Sequence, residues 1–321
     1  MSKSLSTLEA NIFIILNVFD MIKKVILIVF VMVFIHLNQA KSCDACGCAS
    51  GNVGFGLISD YRYNFIQLGF FNMGFRSNHE NNFTTVDQFR QWRVAMRYGI
   101  GKDARFNLNA FIPYITNVRE TSIEKQRLSG FGDIRLEISY ALFNNVSLGD
   151  NSFLYSEIGV GVKLPTGAYN AELHQDNLPD NFNIGNGSLS YKISSSTVLN
   201  FGSNGLSFSG NYLINGNTKD GYHFGNQLDA QLSYFRGFQV GESNLTPSIG
   251  MAYENIADDN YTTGNRVPET GGKGIFGTVS MNLKYKNILS GISYSMPISE
   301  NYSGGIVKAR GRLSCQISYL F

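Results

Sequence analysis

The chain reads as all-β: a transmembrane antiparallel up-and-down β-barrel of about 12 strands, with 10 or 14 as alternatives. Three observations carry that expectation. Segments alternate apolar and polar residues, connections alternate long and short, and the carboxyl-terminal strand ends on an aromatic residue. In that last strand Val307, Ala309, Leu313, Cys315, Ile317, Tyr319 and Phe321 share one parity, and Lys308, Arg310, Arg312, Ser314, Gln316 and Ser318 share the other. Successive strand side chains face opposite ways, so one face is apolar and the other basic.

A final strand ending in Phe resembles the assembly signal of bacterial outer-membrane barrels, and implies the barrel assembly machinery as a partner. The closing strand of such a barrel leaves no edge unpaired in lipid. The composition agrees. The 321 residues include 34 Gly, 17 Tyr and 24 Phe, with 6 Pro and 16% charged residues. Only alternate residues touch lipid in a barrel, and aromatic girdles mark both interfaces. A net charge of +2 does not suggest a nucleic-acid partner. The Asn-rich composition resembles that of Bacteroidota proteins.

Residues 1–40 read as a signal peptide. Lys23 and Lys24 precede the apolar run Val25 to Leu37, and Ala40 offers a small residue for cleavage. The true start could be Met21. The run falls short of the about 20 residues a transmembrane helix needs. Residues 41–63 then form a periplasmic segment, and 64–321 the barrel in the outer membrane. The Ala40-Lys41-Ser42 sequence before Cys43 is a poor lipid-modification box.

Twelve strands are expected near 64–77, 86–100, 105–118, 130–144, 152–165, 188–200, 206–215, 223–236, 245–257, 273–286, 290–298 and 307–321. In the second, Trp92, Val94, Met96 and Tyr98 oppose Gln91, Arg93, Ala95 and Arg97; in the fourth, Ile134, Leu136 and Ile138 oppose Asp133, Arg135 and Glu137. Long connections at 77–86, 119–129, 166–187, 258–272 and 299–306 fall on one side, and mostly shorter ones on the other. Bacterial barrels place long loops outside and short turns in the periplasm.

Two segments are similar to a known family. Gly130-Phe131-Gly132-Asp133-Ile134-Arg135-Leu136 resembles the Gly-x-Gly-Asp strand opening of the transporter-like outer-membrane family named for the meta-pathway of phenol degradation. Gly159 to Gly167 resembles the same family's strand that ends in Lys-x-Pro-Thr-Gly and leads into a long loop. The resemblance implies uptake of hydrophobic or aromatic compounds, although the motifs themselves are architectural. Pro165 removes a donor, and Thr166-Gly167 suits a turn.

The polar parity supplies candidate lumen and selectivity residues: Arg93, Arg97, Arg135, Lys163, Arg310 and Arg312, with Asp133, Glu137 and Glu157 as acids. Strand 12 neighbours strand 1 in a closed barrel, so Arg310 and Arg312 are expected near Arg93 and Arg97. Such a stripe could favour anions; alternatively the charges pair and fill a narrow lumen. Cys43, Cys46 and Cys48 lie within six residues and could bind Cu or Zn, or form a local disulfide in the oxidising periplasm.

These residues support an outer-membrane channel or transporter, passive or gated, for a small solute: a hydrophobic or aromatic compound or a small anion. The alternative is a non-transporting barrel with a metal- or redox-linked Cys segment. An outer-membrane hydrolase ranks behind both. His79, His174 and His223 are far apart in sequence on expected outer loops, with no Ser or paired carboxylate at recognisable spacing, so the chain is not expected to be an enzyme.

Overall fold

Twelve antiparallel strands pair in sequence order, and the last pairs with the first, closing a barrel. A computed structural model describes residues 64–321 other than 79–83, 102–103 and 177. The strands are β1 Phe65–Asn78, β2 Thr84–Ile100, β3 Phe106–Thr121, β4 in two halves (Lys125–Phe131 and Arg135–Gly149), β5 Ser152–Lys163 and β6 Ser190–Phe201. There follow β7 Asn204–Asn215, β8 Gln227–Arg236, β9 Ser243–Ile256, β10 Gly272–Tyr285, β11 Ile288–Tyr302 and β12, again in two halves (Val307–Ala309 and Arg312–Leu320).

Alternation decides what each face meets. On β2, Trp92, Val94, Met96 and Tyr98 are 50%, 40%, 47% and 58% exposed, whereas Gln91, Arg93 and Arg97 are buried. A soluble protein reverses that order. Ile66, Leu108, Ile138, Val160, Ile193, Leu232, Ile249, Val279 and Ile317 continue the exposed apolar band around the wall. Only a lipid surround removes that band from water, so the wall spans a bilayer.

Short turns, such as those after Ile100 and Tyr285, gather at one end with Asn64 and Phe321, whose backbones bond at 3.0 Å. Loops 164–189, 216–226 and 257–271 gather at the other, which is the extracellular end by the rule for such barrels. Residues 119–129, expected as a long loop, are mostly strand instead. β3 and β4 run on as a projecting hairpin, and its turn is closed by the Thr121 hydroxyl accepting the Glu124 N–H at 2.9 Å.

The last strand is not continuous. Phe75 pairs with Ala309, but Asn72 pairs with Leu313, so one extra residue sits at Arg310-Gly311. This bulge flips the parity. Val307 and Ala309 are buried inside, whereas Leu313, Cys315 and Ile317 face out. Gly311 is required there, because a Cβ would run into the Tyr294 ring. β4 breaks at Gly132–Ile134: its first half pairs with β3 alone and its second half with β3 and β5. The signal segment and Cys43, Cys46 and Cys48 lie outside the described residues.

Candidate functional site

The lumen is the site, and three tiers of side chains fill it. At the extracellular mouth an apolar cluster joins Met73, Phe75, Phe89, Phe276, Tyr302 and Val307 of the wall to Leu173, Leu178 and Phe182 of loop 164–189. Phe182 is fully buried and meets the Phe89 ring edge-on at 5.7 Å. The loop has therefore folded into the barrel. Burying three such side chains contributes on the order of 5 kcal/mol.

Local sequence explains the path. Pro165 ends β5, and the Thr166 hydroxyl donates to the Gly132 carbonyl at 3.1 Å while accepting the Ile134 N–H at 2.9 Å. Two short 3-10 turns follow, Leu173–Asp176 and Asp180–Phe182. Asn183 ties the two arms, accepting the Asn170 N–H at 2.7 Å and donating to the Asn170 carbonyl at 3.0 Å. From the wall, buried Asn117 donates to the Phe182 carbonyl at 2.9 Å.

Asp133 fastens both ends of this loop. One carboxylate oxygen accepts the Gly167 N–H at 3.0 Å, and the other accepts the Asn186 N–H at 2.9 Å. The break in β4 aims Asp133 at the loop. Glycine permits the approach: a Cβ on Gly167 would lie 2.8 Å from Gly185 Cα and 3.0 Å from Gly132 Cα. A Cβ on Gly185 would lie 2.6 Å from an Asp133 carboxylate oxygen. The two segments singled out by family resemblance thus dock on each other, forming one latch.

Below the loop, a small polar cavity is lined by Asp133, Arg135, Lys163, Asn183, Asn186 and Gln227. Lys163 lies 3.8 Å from Asp133. Glu137 accepts bonds from Lys192 at 2.7 Å and Ser194 at 3.0 Å. The Arg93 guanidinium sits 4.3 Å from the Phe71 ring centroid and 5.5 Å from that of Phe111.

Arg97 reaches across the lumen to Glu157 at 2.8 Å and to the Tyr155 hydroxyl at 2.8 Å. Arg312 forms a bidentate pair with Glu254, both bonds at 2.7 Å, and lies 3.8 Å from the Phe276 ring centroid. Arg119 does the same with Asp87, at 2.8 and 2.7 Å.

The expected basic stripe is therefore not what these residues build. Arg97 turns to β5 and Arg312 to β9, each toward its own acid. Arg310 leaves the lumen altogether. Its Cβ and Cδ lie 3.7 and 3.5 Å from where a Cβ would stand on Gly74, an outward position, because the bulge reverses its parity. Arg135, Lys163, Asp133 and Glu137 do come together, with Lys192 beside them.

The Asp87–Arg119 pair was missed because it lies at the expected strand edges. Asp87 shares the parity of Arg93, and Arg119 that of Asn109, so extending the third strand by one residue would have found it. Of the histidines, His174 is exposed on the first 3-10 turn and His223 bonds Asn217 at 2.9 Å. His79 lies outside the described residues.

A closed twelve-stranded barrel with an apolar outer belt, a charged interior and an infolded extracellular loop is a barrel of the outer-membrane class. The chain belongs to the family described as "Putative MetA-pathway of phenol degradation", which matches residues 62–274. Its fold is similar to that of the COG4313 outer membrane channel from Pseudomonas putida F1, at 14% identity and a TM-score of 0.61, covering 84% of this chain and 98% of that one. The beta domain of the Bordetella autotransporter BrkA aligns at 8% identity and a TM-score of 0.46, covering 81% and 100% of the two chains. No curated protein sequence matches the chain.

Proposed function

We propose that the protein is a gated outer-membrane channel for a small aromatic or anionic solute, closed by loop 164–189 and opened by release of the Asp133 latch. The observation that carries this reading is that one carboxylate bonds both ends of the loop that fills the mouth. The Pseudomonas putida protein of the same fold is described as an outer membrane channel, which supports transport. The solute class is supported by the middle tier, where Arg93, Arg135, Lys163 and Lys192 stand around the Phe71 and Phe111 rings. Cations and aromatic faces together suit a small anion or an aromatic ring.

The test is conductance in planar bilayers. Wild-type protein is expected to be silent or to open rarely. Hydrogen bonds to a charged group are worth about 1.5–3 kcal/mol each, so Asp133→Ala should raise open probability by at least about tenfold. Phe182→Ala should do the same by weakening the apolar seal. A wide, steady wild-type conductance, unchanged in both variants, would refute the gate.

A further inference from the structure

The outer wall carries a second feature that transport does not use. Above the aromatic level, one sector of the lipid-facing surface is strongly basic. The level itself is set by Phe70, Trp92, Tyr114 and Phe131, which sit opposite one another across β1, β2, β3 and β4. Phe70 and Trp92 have ring centroids 4.8 Å apart, and Tyr114 and Phe131 5.4 Å. Outward aromatics of this kind lie at the boundary between hydrocarbon and headgroups.

Toward the extracellular end, the next outward positions are cationic. Arg90 is two residues beyond Trp92, opposite Asn72. Arg127 stands opposite Val118, four residues beyond Tyr114. Arg310 is carried outward to Gly74 by the bulge, and Arg76 is the direct cross-strand partner of Lys308. Lys273 extends the row through Asn301. At about 3.3 Å per residue these groups lie roughly 7 to 20 Å of strand beyond the aromatic level. Arg90, Arg127, Lys273 and Lys308 are exposed, and Arg76 and Arg310 half-buried.

Cations outnumber acids in this sector. Outward-facing Glu120 pairs with Lys125 at 3.3 Å, and Glu300, near Lys308, accepts the Ala309 N–H at 2.6 Å. Near the extracellular ends of β6–β8, by contrast, the outward residues are Tyr191, Ile193, Tyr212 and Leu228, all uncharged. The charge is thus confined to one side, and the bulge at Arg310-Gly311 is what brings Lys308 and Arg310 into it.

We propose that this sector binds the phosphate groups of an outer-leaflet glycolipid, holding one or more lipids against β12, β1 and β2. The position selects a lipid over a soluble anion: the acyl chains would lie on the apolar wall below the aromatic level while the phosphate meets the arginines. Arginine suits phosphate through bidentate bonds.

The test titrates full-length, delipidated protein with monophosphoryl lipid A or its dephosphorylated form and counts bound lipids by native mass spectrometry. Wild type should prefer the phosphorylated lipid by at least about tenfold. The triple variant Arg90→Gln, Lys308→Gln, Arg310→Gln should lose that preference, by about fivefold in affinity per charge removed. Arg236→Gln, an outward arginine at the periplasmic end, should keep it. Inorganic phosphate in excess should not displace the lipid. Equal binding of the two lipids by wild type, a comparison that needs no variant, overturns the proposal. Undiminished preference in a folded triple variant, or displacement by inorganic phosphate, overturns it as well.

Discussion

Two buried acids show how a single residue organises this lumen, and they do so differently. Asp133 has both oxygens committed to backbone N–H groups of one loop, so it acts as a fastener. Gly185→Ala tests this with the Asp133 side chain retained. The new methyl would meet both Asp133 and the Gly167 backbone, so the loop has to shift. Limited proteolysis within 167–186 should quicken as it does with Asp133→Ala; unchanged cleavage in both would argue that the apolar seal alone holds the loop. Glu254 instead completes a buried charge pair, with Arg312 4% and its own side chain 2% exposed, and also accepts the Tyr302 hydroxyl. Removing one member of such a pair costs about 3–5 kcal/mol, because the other charge stays buried. Glu254→Gln should therefore lower stability by that amount in urea unfolding, and adding Arg312→Met should recover much of it. A near-neutral single variant would mean that water reaches the pair.

Among the elements, the extracellular loops carry a titration of their own. Tyr222–His223 pairs with Asn260–Tyr261, and Asp259 joins these segments by accepting the Tyr222 hydroxyl and the Gly225 N–H, each at 2.6 Å. Burial pushes the Asp259 carboxyl up to about 6, against the pull of those two bonds and with Asp180 and Asp258 adding repulsion. Burial also raises Asp180 on loop 164–189, where His174 opposes the shift and Asp220 adds to it. A carboxyl raised in the folded state holds its proton better folded than unfolded. Its contribution is thus most favourable below about pH 4, declines as pH rises to about 6, and is flat above. At about 1.4 kcal/mol per unit, moving from pH 7.5 to pH 5 should firm these loops by about 1 kcal/mol. Hydrogen exchange at 222–225 and 257–261, corrected for intrinsic rates, reads this directly. Asp259→Asn should flatten the response, and a wild-type response already flat would remove Asp259 from the account. How much of this was legible follows the same division. Strand parity rests on side-chain alternation alone, so the twelve wall strands and most of their lipid faces could be read. The bulge could not, since Lys308 and Arg310 keep their alternation in sequence and the extra residue shows only in the pairing register with β1. Phe182 carried no periodic signal, because its burial comes from a loop returning into a barrel that exists only after closure.

For the whole molecule, the question is what field a solute meets once the loop has left. Inward cations Arg93, Arg97, Arg119, Arg135, Lys163, Lys192 and Arg312 face Asp87, Asp133, Glu137, Glu157, Asp229 and Glu254. Three pairs near the two ends, Arg97–Glu157, Arg312–Glu254 and Arg119–Asp87, brace the wall and leave little field. The middle tier differs: Arg93, Arg135, Lys163 and Lys192 stand against Asp133, Glu137 and Asp229, a small positive excess in the cavity under the loop. Opening by Gly185→Ala leaves this balance intact, whereas opening by Asp133→Ala adds one more net positive charge. Both should show an anion preference in a salt-gradient reversal potential, stronger for Asp133→Ala, and most visible at low ionic strength where screening is weakest. Adding Arg135→Gln and Lys163→Gln to the Gly185→Ala channel removes two cations and should turn the preference toward cations. If the reversal potential ignores these substitutions, ions pass elsewhere than through the middle tier. The anionic solute class would then fall while the latch could still stand, because the first is read from selectivity and the second from opening.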